Sequence, residues 1–136
     1  MGLAERRAAK QFETSQFPQL KKQIDEAAHF EVPVEVKWET LATDGSSHLY
    51  EECWPKVYFK PLSEALKAIC IDDMGREALK GGLKKVIIQN TQDVSYADYM
   101  VGFVDGVLTL DHKPTTNVDD VDARAKAIQT KLESAL

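Results

Sequence analysis

Two alternating runs flank Asp105-Gly106: Tyr99-Met-Val-Gly-Phe-Val104 before it and Val107-Leu-Thr-Leu-Asp-His112 after it. Asp-Gly between such runs predicts a β-hairpin, because the favoured two-residue turn needs positive φ at both central positions. The register follows. Val104 faces Val107, Phe103 faces Leu108, Gly102 faces Thr109 and Val101 faces Leu110, with Met100–Asp111 and Tyr99–His112 beyond. Paired residues share a face and neighbours alternate. One face then carries Tyr99, Val101, Phe103, Leu108, Leu110 and His112, and is expected to meet the core. The other carries Met100, Gly102, Val104, Val107, Thr109 and Asp111, which is more apolar than a solvated face needs to be.

Elsewhere the period changes along the chain. Leu3, Ala9, Phe12, Leu20, Ile24, Ala27 and Ala28 recur at helical spacing, interrupted by Pro18, which predicts a kink or two helices meeting at Phe17-Pro18. Val32, Val34, Val36 and Trp38 alternate with polar residues as in a half-buried strand, and Pro33 places that strand at a sheet edge. Residues 43–47 read as a loop with Ser47 as a helix N-cap. Residues 48–83 are helical overall, with Leu62, Ala65, Leu66 and Ile69 as a stripe and 54–61 unresolved around Pro55 and Pro61. A short helix from Gly75 to Lys80 is expected to end at Gly81-Gly82 through a left-handed glycine cap. Lys84–Asn90 is a buried strand. The last helix carries Val121, Ala125, Ile128, Leu132 and Leu136 on one side.

This order, α-β-α-α-β-β-β-α, predicts an α+β fold over residues 1–136 as a single domain. Short connections favour a meander, hence a four-stranded, mainly antiparallel sheet with helices packed on one face. At 136 residues the chain can sustain a core without disulfides or a structural metal. Cys53 and Cys70 are far apart in sequence and no export signal precedes them, which reads as free thiols in a cytoplasmic protein. A net charge of −5 argues against nucleic acid as a partner, although Arg76, Lys80, Lys84 and Lys85 cluster locally. No apolar run approaches membrane-spanning length.

Phosphate-loop, dinucleotide-binding, H-E-x-x-H, nucleophile-elbow and zinc-type C-x-x-C patterns are all missing from the sequence. No cofactor is expected. His48 and Glu52, at i and i+4, share a helix face, whereas His48 and Cys53 are separated by about 140°. His112 is expected at the rim of the apolar sheet face, and His29 at a helix C-terminus. These features favour a small binding or interaction protein: an adaptor, an inhibitor or immunity-type protein, or a ligand-sensing module. Its expected surface is Ile87, Met100, Gly102, Val104 and Val107, and its partner another protein or a second copy. The same face would be closed within the monomer if a terminal helix folded over it. The alternative is an enzyme with a dispersed site between helices and sheet, using His48, Glu52 or His112 with Tyr50 and Tyr58 lining the pocket.

Overall fold

A computed structural model describes residues 2–136. Two helices open the chain, α1 (Leu3–Ser15) and α2 (Phe17–Ala28), meeting at Gln16. Pro18 falls in the first turn of α2, where a missing N–H is harmless. His29 ends α2 in the left-handed conformation (φ 64°), its N–H bonded to the Asp25 carbonyl. Strand β1 (Val34–Val36) follows and is shorter than its pattern suggested. Trp38 begins a short helix, α3 (Trp38–Leu41), instead of ending the strand.

After a loop, a 3-10 turn (Ser47–Leu49) leads into α4 (Tyr50–Trp54), a π-helical turn (Pro55–Phe59) and α5 (Lys60–Ile69). Ser47 lies inside the 3-10 turn and does not cap it. Pro55 cannot donate a helical hydrogen bond. The helix widens there, and the Lys60 N–H reaches the Pro55 carbonyl five residues back. The stretch around the two prolines is thus continuous right-handed helix. Helix α6 (Asp73–Gly82) is capped by the Asp72 carboxylate, which accepts from the Gly75 N–H at 2.8 Å. The expected glycine cap does not form: Gly82 remains helical and the chain leaves through extended Leu83. Gly82 serves packing instead, since a Cβ there would lie 2.3 Å from Leu136 Cδ2.

The sheet comprises β1, β2 (Lys85–Gln89), β3 (Val101–Val104) and β4 (Val107–Asp111), in the order β1-β2-β4-β3. The hairpin has the expected register from Val101–Leu110 to Val104–Val107, with Asp105 and Gly106 both at positive φ. The rest of the topology corrects the expected meander. β2 pairs with β4, not β3, and both β1–β2 and β2–β4 are parallel. The α+β class holds, but the sheet is mostly parallel. Residues 90–100 carry the chain past the position of β4, so the hairpin returns its second strand to the middle. β4 has the more buried pattern; β3, with Gly102 and exposed Val104, takes the edge. Pro33 does mark an edge strand, its carbonyl accepting from the Val86 N–H.

The register builds two rows across one side of the sheet, Val34-Val86-Leu108-Phe103 and Val36-Ile88-Leu110-Val101. These rows belong to the hydrophobic core together with Ile24, Leu62, Leu66, Ile128 and Leu132 from α2, α5 and α7 (Val121–Ala135). An aromatic cluster continues it around Trp54, which meets Phe12 edge-on at 5.0 Å, Trp38 at 5.6 Å and Tyr50 in a stack at 4.3 Å. No helix of the described residues is long and apolar enough to cross a membrane.

Candidate functional site: an open sheet face and a buried polar centre

The opposite side of the sheet has a different character. Its ladder positions are Glu35, Lys85, Ile87, Gln89, Val107, Thr109, Gly102 and Val104. None of its apolar members joins the core. Val104 is 70% exposed, and a Cβ built on Gly102 would meet nothing within 4 Å. No terminal helix has folded over this part of the face. Glu35 and Lys85 pair across it, so their charges are mutually satisfied.

Of the five residues expected to form a surface here, Ile87, Gly102, Val104 and Val107 do share the open face. Met100 does not. It ends a 3-10 turn (Ala97–Tyr99) with right-handed helical φ and ψ, which breaks the strand alternation, and its side chain is buried in the core. The Asp111 N–H still bonds to the Met100 carbonyl, but the ladder stops there. Tyr99 consequently leaves the expected pairing with His112 and stands exposed.

At its carboxyl end the open face is closed by the loop after β2. The Asp111 carboxylate accepts hydrogen bonds from the Thr91 N–H (2.9 Å), Thr91 Oγ1 (2.6 Å), the Gln92 N–H (3.3 Å) and Gln89 Nε2 (3.0 Å). Burial raises the carboxyl's pKa, and these hydrogen bonds outweigh it, holding the group below its ordinary value.

Behind that loop lies a buried polar centre. His112 is fully enclosed, and its Nδ1 lies at hydrogen-bond distance from the Lys113 carbonyl. The Tyr58 hydroxyl donates to the His112 carbonyl. Arg124 is also fully buried, with one guanidinium nitrogen donating to the Val118 carbonyl at 2.6 Å and Nε unpaired. The hydrophobic pattern of α7 concealed this residue, since a charge was not expected on the core side. Its spacing was the available signal: Arg124, Ile128 and Leu132 recur every four residues on the buried face.

Burial pushes the His112 pKa down, and the Arg124 charge adds to that; the Lys113 and Ser95 carbonyls and Asp111 only partly oppose it. The unfolded chain therefore takes up a proton near its ordinary value of about 6.5, while the folded protein resists. Stability attributable to His112 is complete above that value and declines as pH falls below it, by at most ~1.4 kcal/mol per pH unit. Urea titrations at pH 7.5 and 5.5 should show this loss in the wild type. The loss should shrink in His112→Asn, and an equal pH dependence in the variant would remove His112 as its source.

The other candidates remain apart from this centre. His48 is exposed on the 3-10 turn, and Glu52 is exposed on α4, 3.6 Å from Lys56. Lys56 also reaches Asp119 at 3.2 Å. The structure thus brings neither His48 nor Glu52 into the enclosure that holds His112. Among the described residues, no three His, Cys, Asp or Glu side chains are placed to hold a metal ion. Cys53 and Cys70 are free and buried; burial pushes both thiols up, which favours the protonated, weakly nucleophilic form. Tyr50 is engaged in donating to the Thr43 carbonyl at 2.8 Å. No family model matches the chain, and neither a curated protein nor a solved structure is significantly similar to it.

Proposed function

We propose that the protein is a binding module that docks an amphipathic helix of a partner protein across the open side of its sheet. One observation carries this reading. The sheet is mostly parallel, yet helices cover one side and leave Ile87, Gly102, Val104 and Val107 open on the other. Parallel sheets are ordinarily covered on both faces. A helix laid on the bare side would complete a three-layer arrangement without disturbing the existing core.

The size of the face selects the occupant. Four strands of three to five residues span roughly 19 Å by 17 Å. That is well short of the ~800 Å² per partner typical of a stable protein interface. It suits one helix about 10 Å across better than a second copy packed sheet against sheet. The internal Glu35–Lys85 pair leaves an uncharged centre, suited to an apolar helical stripe.

Val104→Lys tests the proposal. Val104 is exposed, so the variant should keep its thermal stability within about 0.5 kcal/mol. It should lose the partner that the wild type captures stoichiometrically from its native cell. Unchanged capture by a folded variant would overturn the assignment of this face. A sedimentation shift of the pure protein, abolished by the substitution, would replace the partner helix with a second copy.

A further inference from the structure

A second surface, sharing no lining residue with the open sheet face, has the properties of a docking groove. The turn between α5 and α6 and the first turn of α6 project Ile71 and Met74 into solvent, 80% and 81% exposed. Two such side chains three residues apart are not a scatter of single exposed residues. Nor are they floppy. A Cβ on Gly75 would stand 1.8 Å from the Ile69 carbonyl oxygen, so the start of α6 is pressed against the end of α5. Arg76 Nε donates to the Cys70 carbonyl at 3.0 Å and ties the turn from the other side. Asp72 closes it by capping α6.

Beside the turn lies a cleft of about 310 Å³, with Ile71, Met74, Ala78 and Leu136 among its apolar walls. Its charged walls are Asp72 and Glu133, both acidic. Arg76, in the first turns of α6, points its guanidinium at Asp73 and the Cys70 carbonyl. We infer that this groove docks a cationic amphipathic helix of a partner protein, its apolar residues seated against Ile71 and Met74 and its Lys or Arg residues against Asp72 and Glu133. Met suits this role because its unbranched side chain adapts to different apolar partners. The acidic rim opposes an anionic membrane surface. The groove is independent of the sheet face, and either assignment can fail alone.

The test uses two labelled synthetic helices with the same Leu stripe, one with Lys on its polar face and the other with Glu, titrated by fluorescence anisotropy at physiological salt. The Leu/Lys helix should bind at least about tenfold more tightly than the Leu/Glu helix. The double variant Ile71→Ser/Met74→Ser keeps the net charge and removes only exposed side chains, so its circular dichroism and melting should match the wild type. It should weaken Leu/Lys binding by about tenfold in the Val104→Ser background, where the sheet face no longer takes part. Equal binding by the double variant would mean general attraction to an acidic protein and overturn the inference. Complete loss with Val104→Ser alone would move the peptide to the sheet face and have the same effect. So would self-association that Ile71→Ser/Met74→Ser abolishes, because the groove would then belong to a second copy.

Discussion

Trp54→Ala should cost about 3–5 kcal/mol of folding stability, a large part of the ~5–15 kcal/mol available to a domain. Trp54 is fully buried where α1, α3 and α4 converge, against Phe12, Trp38 and the stacked ring of Tyr50. Removing the indole deletes those contacts and leaves a cavity that three separate elements cannot close together. Chemical unfolding should show the loss as a lower urea midpoint with little change in slope. Trp54→Phe provides the control. The indole Nε1 is buried without a partner, so phenylalanine removes an unpaired donor and keeps most of the ring contact. Its cost should be well below that of alanine. A loss under about 1 kcal/mol in Trp54→Ala would contradict the packing described around this ring.

Asp111→Ala is expected to have the next largest effect, about 3 kcal/mol. The substitution removes one acceptor group that serves four donors on Gln89, Thr91 and Gln92. Some of those donors stay partly buried, and an unmet buried donor costs more than the hydrogen bond itself contributes. The loss should be local as well as global: amide exchange at Thr91 and Gln92 should accelerate beyond the change in overall stability. Asp111→Asn keeps one acceptor oxygen and should fall between wild type and alanine. The wild-type carboxyl, held below its ordinary value, contributes stability that is complete above about pH 4 and lost as pH falls through its folded value. That window opens below the one set by His112, which begins near pH 6.5. Unaltered exchange at Thr91 and Gln92 in Asp111→Ala would show that the loop is held by other means.

The residues around Asp105-Gly106 were legible because a two-residue turn sets its own strand register locally. The alternation in β1 and β4 was likewise enough to assign the sides of the sheet. Strand neighbours were not legible, since periodicity says which way a side chain points and nothing about which strand lies beside it. A clue was present in residues 90–100, a connection long enough to carry the chain beyond the place of β4. The surface residues Ile87, Gly102, Val104 and Val107 followed from alternation and Met100 was lost where alternation stopped. Arg124 was hidden by its chemistry, not by its spacing. Ile71 carried no periodic signal, because a turn between helices has none, and Met74 stands in the first turn of α6 away from its buried side.

The central place of β4 also governs the order in which the sheet is assembled. β2 pairs with β4 along its whole length, yet β4 is the last strand to leave the ribosome. Until residue 111 has been made, one edge of β2 has no strand to receive it, and α7 has not arrived to close the core. The nascent chain therefore carries the apolar segment Val86-Ile87-Ile88 with an open ladder through the middle of its synthesis. Unpaired strand edges of this kind attract other chains. Synthesis stalled between β2 and β4 is thus the interval in which this chain is most exposed to misassembly and has most need of a chaperone.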